Sequence, residues 1–317
     1  MASPLDLARN RVYVPWTSIP AGRMVELPGR SGATYVTDTP GPDPKSPTIV
    51  LLHALGTTGL LCWFPCIHPL ARRFRVVTLD LRWHGQGIKS DEFSLVDCAD
   101  DVAALLDVLG IDQAIMGGYS MGSIVAQRMW RQHPDQVTGL VLGATTDRFQ
   151  MNPVERAFFL GTSATMLALR GMSSARSAEA GVRATAAKDG FVPVDMHEWA
   201  LKEFRSTSPW AVGQALAALG RHHSRPWLPD IDVPTAVVVM MRDRVIPTAR
   251  QIALARAIPG ATIHEVDDGH AGSVLRSERF VPRFVEAAAT VNARGRDFTR
   301  PRDAQPGGPP RVSRRVP

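Results

Sequence analysis

The sequence predicts an α/β fold: a mostly parallel sheet covered on both faces by helices, with a helical insertion in the second half. Three observations predict it. Short, continuously apolar runs recur along the chain, helix-patterned stretches lie between several of them, and the alternation lapses between about Asp147 and Arg225 before resuming. Strands apolar on both faces and separated by helices belong to a sheet buried on both sides.

Taken in order, Arg23–Leu27 and Ala33–Thr37 read as paired edge strands joined across Gly29-Arg30-Ser31-Gly32. The buried strands follow as Thr48–Leu52, Arg75–Leu79, Ala114–Met116, Gly139–Leu142, Thr235–Met240 and Thr262–Val266. Between them Cys98–Leu109, Ser123–His133, Thr248–Ile258 and Pro282–Ala293 carry helical patterning. In the lapse, Val154–Leu169 and Trp199–Arg205 read as helices, with turn signals at Gly171–Ser174 and Lys188–Gly190. The expected organisation is an N-terminal extension (1–22), a core (23–147 and 226–293), a helical cap (148–225) and a disordered basic tail (294–317). Most aromatic and methionine residues of the cap are expected in its own core.

The chain has 317 residues, a formal net charge of +6 and a pI of about 9.7. Where the charge sits decides its meaning. Residues 294–317 hold seven arginines against two aspartates, so five of the six net charges lie there and about one remains for the rest. That segment also holds five prolines and one large apolar side chain, Phe298, too little apolar surface to offset the entropy of ordering. A basic pI located in such a tail is no argument for specific nucleic-acid binding. Cys62, Cys66 and Cys98 form no disulfide framework or zinc-ligand spacing, and no cofactor or metal is expected.

The N-terminus lacks the apolar h-region of a secretory signal. Residues 46–71 carry no acidic side chain, lysine or arginine, but Gly56-Thr57-Thr58-Gly59 and Pro65 break the run into a strand, a turn and a partly buried helix. The expectation is a cytoplasmic protein with no transmembrane segment.

Gly118-Tyr119-Ser120-Met121-Gly122 stands between a strand-like run and a helix-like run. A nucleophile on so sharp a strand-to-helix turn needs small residues beside it, and the helix that follows presents free N–H groups to a developing oxyanion. A serine needs a base and an orienting acid. His270 follows the last apolar run, and Asp243 follows the one before it, with Asp147 as the other candidate acid. The N–H groups of Met121 and of Leu55, in the loop after Thr48–Leu52, are the expected oxyanion donors.

These pieces resemble the α/β-hydrolase superfamily from about Pro47 to Val291: His53-Ala54, Asp80-Leu81-Arg82-Trp83-His84-Gly85-Gln86-Gly87, Gly118–Gly122, Asp243–Pro247 and Gly269-His270. The resemblance implies Ser120 as nucleophile, His270 as general base and Asp243 as its orienter, beneath a cap inserted after the sixth strand. Four positions depart from the family pattern, which usually has glycine where this chain has Ala54, Trp83, Ser123 and Met240. His53 and His84 are expected to support their loops.

The expected activity is hydrolysis of a carboxylic ester or similar acyl substrate, small and apolar, through an acyl-enzyme on Ser120. A serine at this position argues against the aspartate-nucleophile dehalogenases and epoxide hydrolases of the fold. The tyrosines, Tyr13, Tyr35 and Tyr119, also lie outside the cap, leaving none there to activate an epoxide. Two alternatives stay open: acyl transfer or cofactor-free perhydrolase/haloperoxidase-type chemistry on the same triad, and a non-catalytic ligand-binding protein on the hydrolase fold.

Overall fold

The computed structural model describes residues 18–150, 152–170, 191–193 and 195–296. Eight strands form one sheet: β2 (Gly22–Leu27), β3 (Gly32–Thr39), β4 (Thr48–Leu52), β5 (Arg75–Leu79), β6 (Ala114–Tyr119), β7 (Val137–Gly143), β9 (Thr235–Met240) and β10 (Thr262–Val266). Their spatial order is β2-β3-β5-β4-β6-β7-β9-β10, antiparallel at β2–β3 and β3–β5 and parallel everywhere else.

The apolar runs are continuous because alternate side chains enter two different cores. Val50, Leu52, Leu140, Leu142, Val237 and Val239 pack on one face with α2 (Leu95–Val108), α3 (Met121–Gln132) and α7 (Thr248–Ala257). Ile49, Leu51, Val141, Ala236 and Val238 pack on the other with α1 (Gly59–Ala71) and α9 (Ser277–Arg296), where Trp63 meets Phe284 at 4.7 Å between ring centroids. A side-chain period of two therefore buries both faces.

Helix α1 is buried along nearly its whole length, not partly. The sheet lies on one side of it, and Trp199 covers Phe64 edge-on from the other, with ring centroids 5.2 Å apart. Thr58 caps its N-terminus by accepting from the Leu61 N–H at 3.1 Å.

Between β7 and β9 the chain forms α4 (Pro153–Arg170), β8 (Phe191–Pro193), α5 (Met196–Arg205) and α6 (Pro209–Gly220). The expected turns at 171–174 and 188–190 lie outside the described residues. Among the described cap aromatics Phe159 is buried, Trp199 and Trp210 are half-buried, and Phe158 and Phe204 are exposed. Two segment boundaries also differ. Within the expected N-terminal extension, β1 (Ser18–Pro20) pairs antiparallel with β8. At the other end α9, which follows the one-turn α8 (Gly272–Leu275), continues through Arg296, and the Arg294 guanidinium donates to the Gly260 carbonyl at 2.7 Å, so residues 294–296 belong to the helix. The rest of the expected tail lies outside the described residues. Among the described residues no helix is long and apolar enough to cross a membrane.

Candidate active site

Strand β6 ends in a turn that the following helix forces to be sharp. Ser120 lies there at φ 53° and ψ −115°, a strained conformation for a non-glycine residue, and its N–H is held by the Gly143 carbonyl at 2.9 Å. The glycines on either side are required by contact. A Cβ at Gly118 would lie 2.4 Å from the Gly122 carbonyl carbon, and one at Gly122 would lie 2.0 Å from the Leu52 carbonyl oxygen. The second clash is with backbone of the central strand, which no rotamer change relieves. Gly122→Ala is expected to cost roughly 4 kcal/mol or more, read as a lower urea midpoint. An unchanged midpoint would show that the helix can lift off β4.

The strands β9 and β10 carry the other two groups to the same end of the sheet. His270 Nδ1 lies 2.7 Å from Asp243 Oδ2, and its Nε2 lies 3.0 Å from Ser120 Oγ. Asp243 is buried, and four donors converge on its carboxylate. The N–H groups of Val245 and Ile246 reach Oδ1 at 2.8 and 2.9 Å, while His270 and the Gln251 amide reach Oδ2, the latter at 3.0 Å. With an ionised Asp243 as acceptor, Nδ1 carries the hydrogen and Nε2 is left as the free base facing Ser120. The Tyr119 hydroxyl donates to the His270 carbonyl at 2.8 Å and so ties the histidine loop to the turn that carries the serine. Asp147 lies apart from this chain of bonds. It stands beside Arg225, at 3.6 Å, and its carbonyl accepts from the Ser224 N–H.

The loop after β4 is pinned through one carbonyl. Ala54 O accepts from His53 Nδ1 at 2.8 Å, from Thr57 Oγ1 at 2.8 Å and from Thr57 N at 3.3 Å. A trans peptide sends its N–H opposite to its C=O, so the Leu55 N–H points away from those partners. The Met121 N–H, at the first position of α3, has no acceptor in the preceding turn of helix. Left-handed backbone in the loop is taken by Gly56 at φ 74°, so alanine at position 54 needs no unusual conformation. A Cβ at Gly56 would sit 3.7 Å from Val212 Cγ2, which places α6 directly over this loop.

The other departures from the family pattern have local consequences. Ser123 uses its hydroxyl to donate to the Gly143 carbonyl (2.9 Å) and accept from the Gly143 N–H (3.0 Å), fastening α3 to β7. Trp83 occupies a left-handed position, φ 66°, and donates its indole N–H to Ser90 Oγ at 3.1 Å. Met240 is buried, and its N–H donates to the Gln251 side-chain carbonyl at 2.9 Å.

His53 and His84 are buried with ring centroids 5.1 Å apart. His53 Nδ1 donates to Ala54 O and its Nε2 accepts from the Leu81 N–H at 2.9 Å, so the neutral ring bridges two loops. Burial, helped by its neighbour His84, pushes His53 down to about 3, and burial pushes His84 down to about 4 and His222 to about 3. Burial acts oppositely on Asp80, raising it to about 7, and also raises Glu203 of α5, whose carboxylate accepts from Thr58 Oγ1.

Opposing contributions to stability follow. These depressed histidines contribute stability above their unfolded value of about 6.5 that is lost as pH falls toward their folded values. The raised carboxyls contribute most at low pH and lose that contribution as pH rises through their folded values, near 7 for Asp80. Four histidines, the three above and His264, which burial also lowers, oppose two carboxyls between about pH 4 and 6.5, so the urea midpoint is expected to fall on acidification across this interval. A rising midpoint would mean that the imidazoles are accessible to solvent protons.

Cys62, Cys66 and Cys98 are free and buried, and burial pushes the Cys62 thiol up to about 12, which leaves it without nucleophilic character at neutral pH. Among the described residues no cluster of His, Cys, Asp and Glu could hold a metal ion. The arrangement around Ser120 sets a histidine nitrogen, itself held by a buried carboxylate, within reach of the serine hydroxyl. Sequence reading missed Tyr119 and Gln251 as supports of this site. The sequence offers no signal for either, since both act from inside elements that look like ordinary core.

A family model described as the alpha/beta hydrolase fold matches residues 47–168. The chain is 30% identical over 254 residues to a protein of Serratia proteamaculans named as the carbamate hydrolase RutD, an alignment covering 75% of this chain and 89% of that one. It is 27% identical to the pimeloyl-acyl-carrier-protein methyl ester esterase of Chromobacterium violaceum, covering 78% and 96% of the two chains. Among solved structures, the enol-lactonase of Burkholderia xenovorans LB400 superposes with a TM-score of 0.63 at 25% identity, covering 84% of this chain and all of the other. The chain belongs to the α/β-hydrolase superfamily, and its eight-stranded sheet has that architecture. It is an enzyme, a hydrolase.

Proposed function

We propose that the chain is a serine hydrolase that cleaves a carboxylic ester or similar acyl substrate through an acyl-enzyme on Ser120. The observation that carries this reading is the unbroken run of hydrogen bonds from Ser120 Oγ through His270 to Asp243. As the hydroxyl attacks the carbonyl carbon, Nε2 takes its proton, and the imidazolium that forms faces the buried carboxylate of Asp243. Negative charge on the carbonyl oxygen is received by the Leu55 and Met121 N–H groups. Collapse of the tetrahedral species expels the alcohol, which takes the proton from His270. Water, deprotonated by the same nitrogen, then releases the acid and restores Ser120.

Residues 148–225 act as the cap in this reading, with α6 over the oxyanion loop and α5 hydrogen-bonded to Thr58. The methyl ester and lactone named for the two relatives support a small carboxylic ester as the substrate class.

A fluorophosphonate probe is expected to phosphonylate Ser120, located by peptide mass spectrometry, and to abolish turnover in proportion to labelling. A screen of p-nitrophenyl esters of increasing acyl length, repeated with an added alcohol, sets the acyl size and compares water with alcohol as acceptor. Hydrolysis predicts free acid as the main product in both series. Full activity in quantitatively labelled protein would overturn the assignment of Ser120.

A further inference from the structure

The loop that carries Asp243 is closed by a side chain outside the triad. Gln251 lies on α7, eight residues beyond Asp243, and is fully buried. Its amide nitrogen donates to Asp243 Oδ2 at 3.0 Å and to the Ile246 carbonyl at 2.7 Å, while its carbonyl oxygen accepts from the Met240 N–H at 2.9 Å. One amide therefore holds the strand end before the acid, the turn after it and the acid itself. The oxygen it reaches is the one that accepts from His270 Nδ1.

We propose that Gln251 is a positioning residue for the Asp243–His270 pair: it fixes the plane of the carboxylate and withdraws part of its charge from the imidazole. The inference rests on the reading of Ser120, His270 and Asp243 given above. Planarity is the first part of the argument. The Val245 and Ile246 N–H groups fix Oδ1, but rotation about the Cβ–Cγ bond of Asp243 is stopped only when Oδ2 also has a partner that does not move during the reaction. His270 must change protonation in each half-reaction, whereas the Gln251 amide is neutral, buried and held at both ends. Charge is the second part. Each hydrogen bond donated to Oδ2 stabilises the carboxylate without adding positive charge, so it weakens the field acting on the imidazolium. Of the other charged side chains here, Arg242 pairs with Asp267 and Arg279 with Asp268 at 3.7 Å, while Arg244, next to the acid, is exposed to solvent and is unchanged in every variant below.

The test is the second-order rate of fluorophosphonate labelling of the full chain between about pH 5 and pH 9, where the acid limb reports protonation of the base. Gln251→Met keeps the volume but removes the donor, so the imidazolium feels more of the carboxylate and the limb moves to higher pH by about half a unit or more. Gln251→Glu keeps an acceptor for the Met240 N–H and adds negative charge beside Oδ2, so its limb moves in the same direction; it stands in if the Met variant does not fold. Thr248→Val is the control. Its hydroxyl donates to the Met240 carbonyl at 2.9 Å in the same loop without touching Asp243, so it lowers the melting temperature and leaves the limb in place.

An unmoved limb in a folded Gln251 variant, or an equal movement in Thr248→Val, would overturn the inference. The Asp243→Asn variant separates the two levels. Normal labelling in it would overturn the assignment of Asp243 and this inference together, whereas lost labelling beside an unmoved Gln251 limb would overturn the inference only.

Discussion

Replacing Ser120 by alanine is expected to lower ester turnover on the order of 10^5- to 10^6-fold while leaving the fold intact. The hydroxyl is the group that would carry the acyl chain, and in its absence His270 has no attacking atom to deprotonate. The substitution removes one oxygen and adds no atom, and alanine bears the same backbone strain at φ 53° that serine already bears. The backbone bond from Ser120 N–H to the Gly143 carbonyl is unaffected. Turnover with an aryl ester and the melting temperature should therefore separate cleanly, the first collapsing and the second staying within a few degrees. Turnover above about a hundredth of wild type would place the nucleophile elsewhere.

Asp243→Asn is expected to cost about 10^4-fold in kcat. The carboxylate accepts four hydrogen bonds through two oxygens, and an amide has only one oxygen to offer. With that oxygen toward Val245 and Ile246, the new NH2 group points at His270 Nδ1. The imidazole must then carry its hydrogen on Nε2, where it cannot receive a proton from Ser120. The opposite orientation aims the NH2 group at two backbone N–H donors and leaves them unsatisfied in a buried site. Asp147→Asn offers the comparison, because Asp147 faces Arg225 and makes no contact with His270. It should retain kcat within about threefold. Comparable losses in the two variants would remove the distinction between the acids.

The parts of this architecture legible beforehand share one property: they are local. Runs such as Thr48–Leu52 and Thr235–Met240 could be located to the residue because a strand buried on both faces is apolar at every position, and polar residues bound it sharply. Helix ends were less visible. α2 begins at Leu95 behind a Ser94 cap, three residues before the first residue of the expected helix, since Asp97 and Val96 look outward and break the apolar pattern. The β1–β8 pairing joins segments about 170 residues apart, and neither three-residue strand carries a pattern of its own. The exposure of Phe158 and Phe204 was equally hidden, because an aromatic residue has the same identity inside a cap or on its surface.

The sequence by itself determined the layered α/β fold, the elbow at Ser120 and the chain order of serine, aspartate and histidine. Each follows from short-range pattern and steric limits: period-two burial, a turn that admits only glycine two residues to either side of the serine, and loops that must follow strands. Tertiary structure decided which acid faces the imidazole, how the Ala54 carbonyl turns the Leu55 N–H, and which amide closes the acid loop. Those depend on distances between residues far apart in the chain, down to the 2.7 Å that separates His270 from Asp243 and the 3.0 Å that separates Asp243 from Gln251. A hydrogen bond decays over tenths of an ångström, and only the packed sheet sets positions that finely.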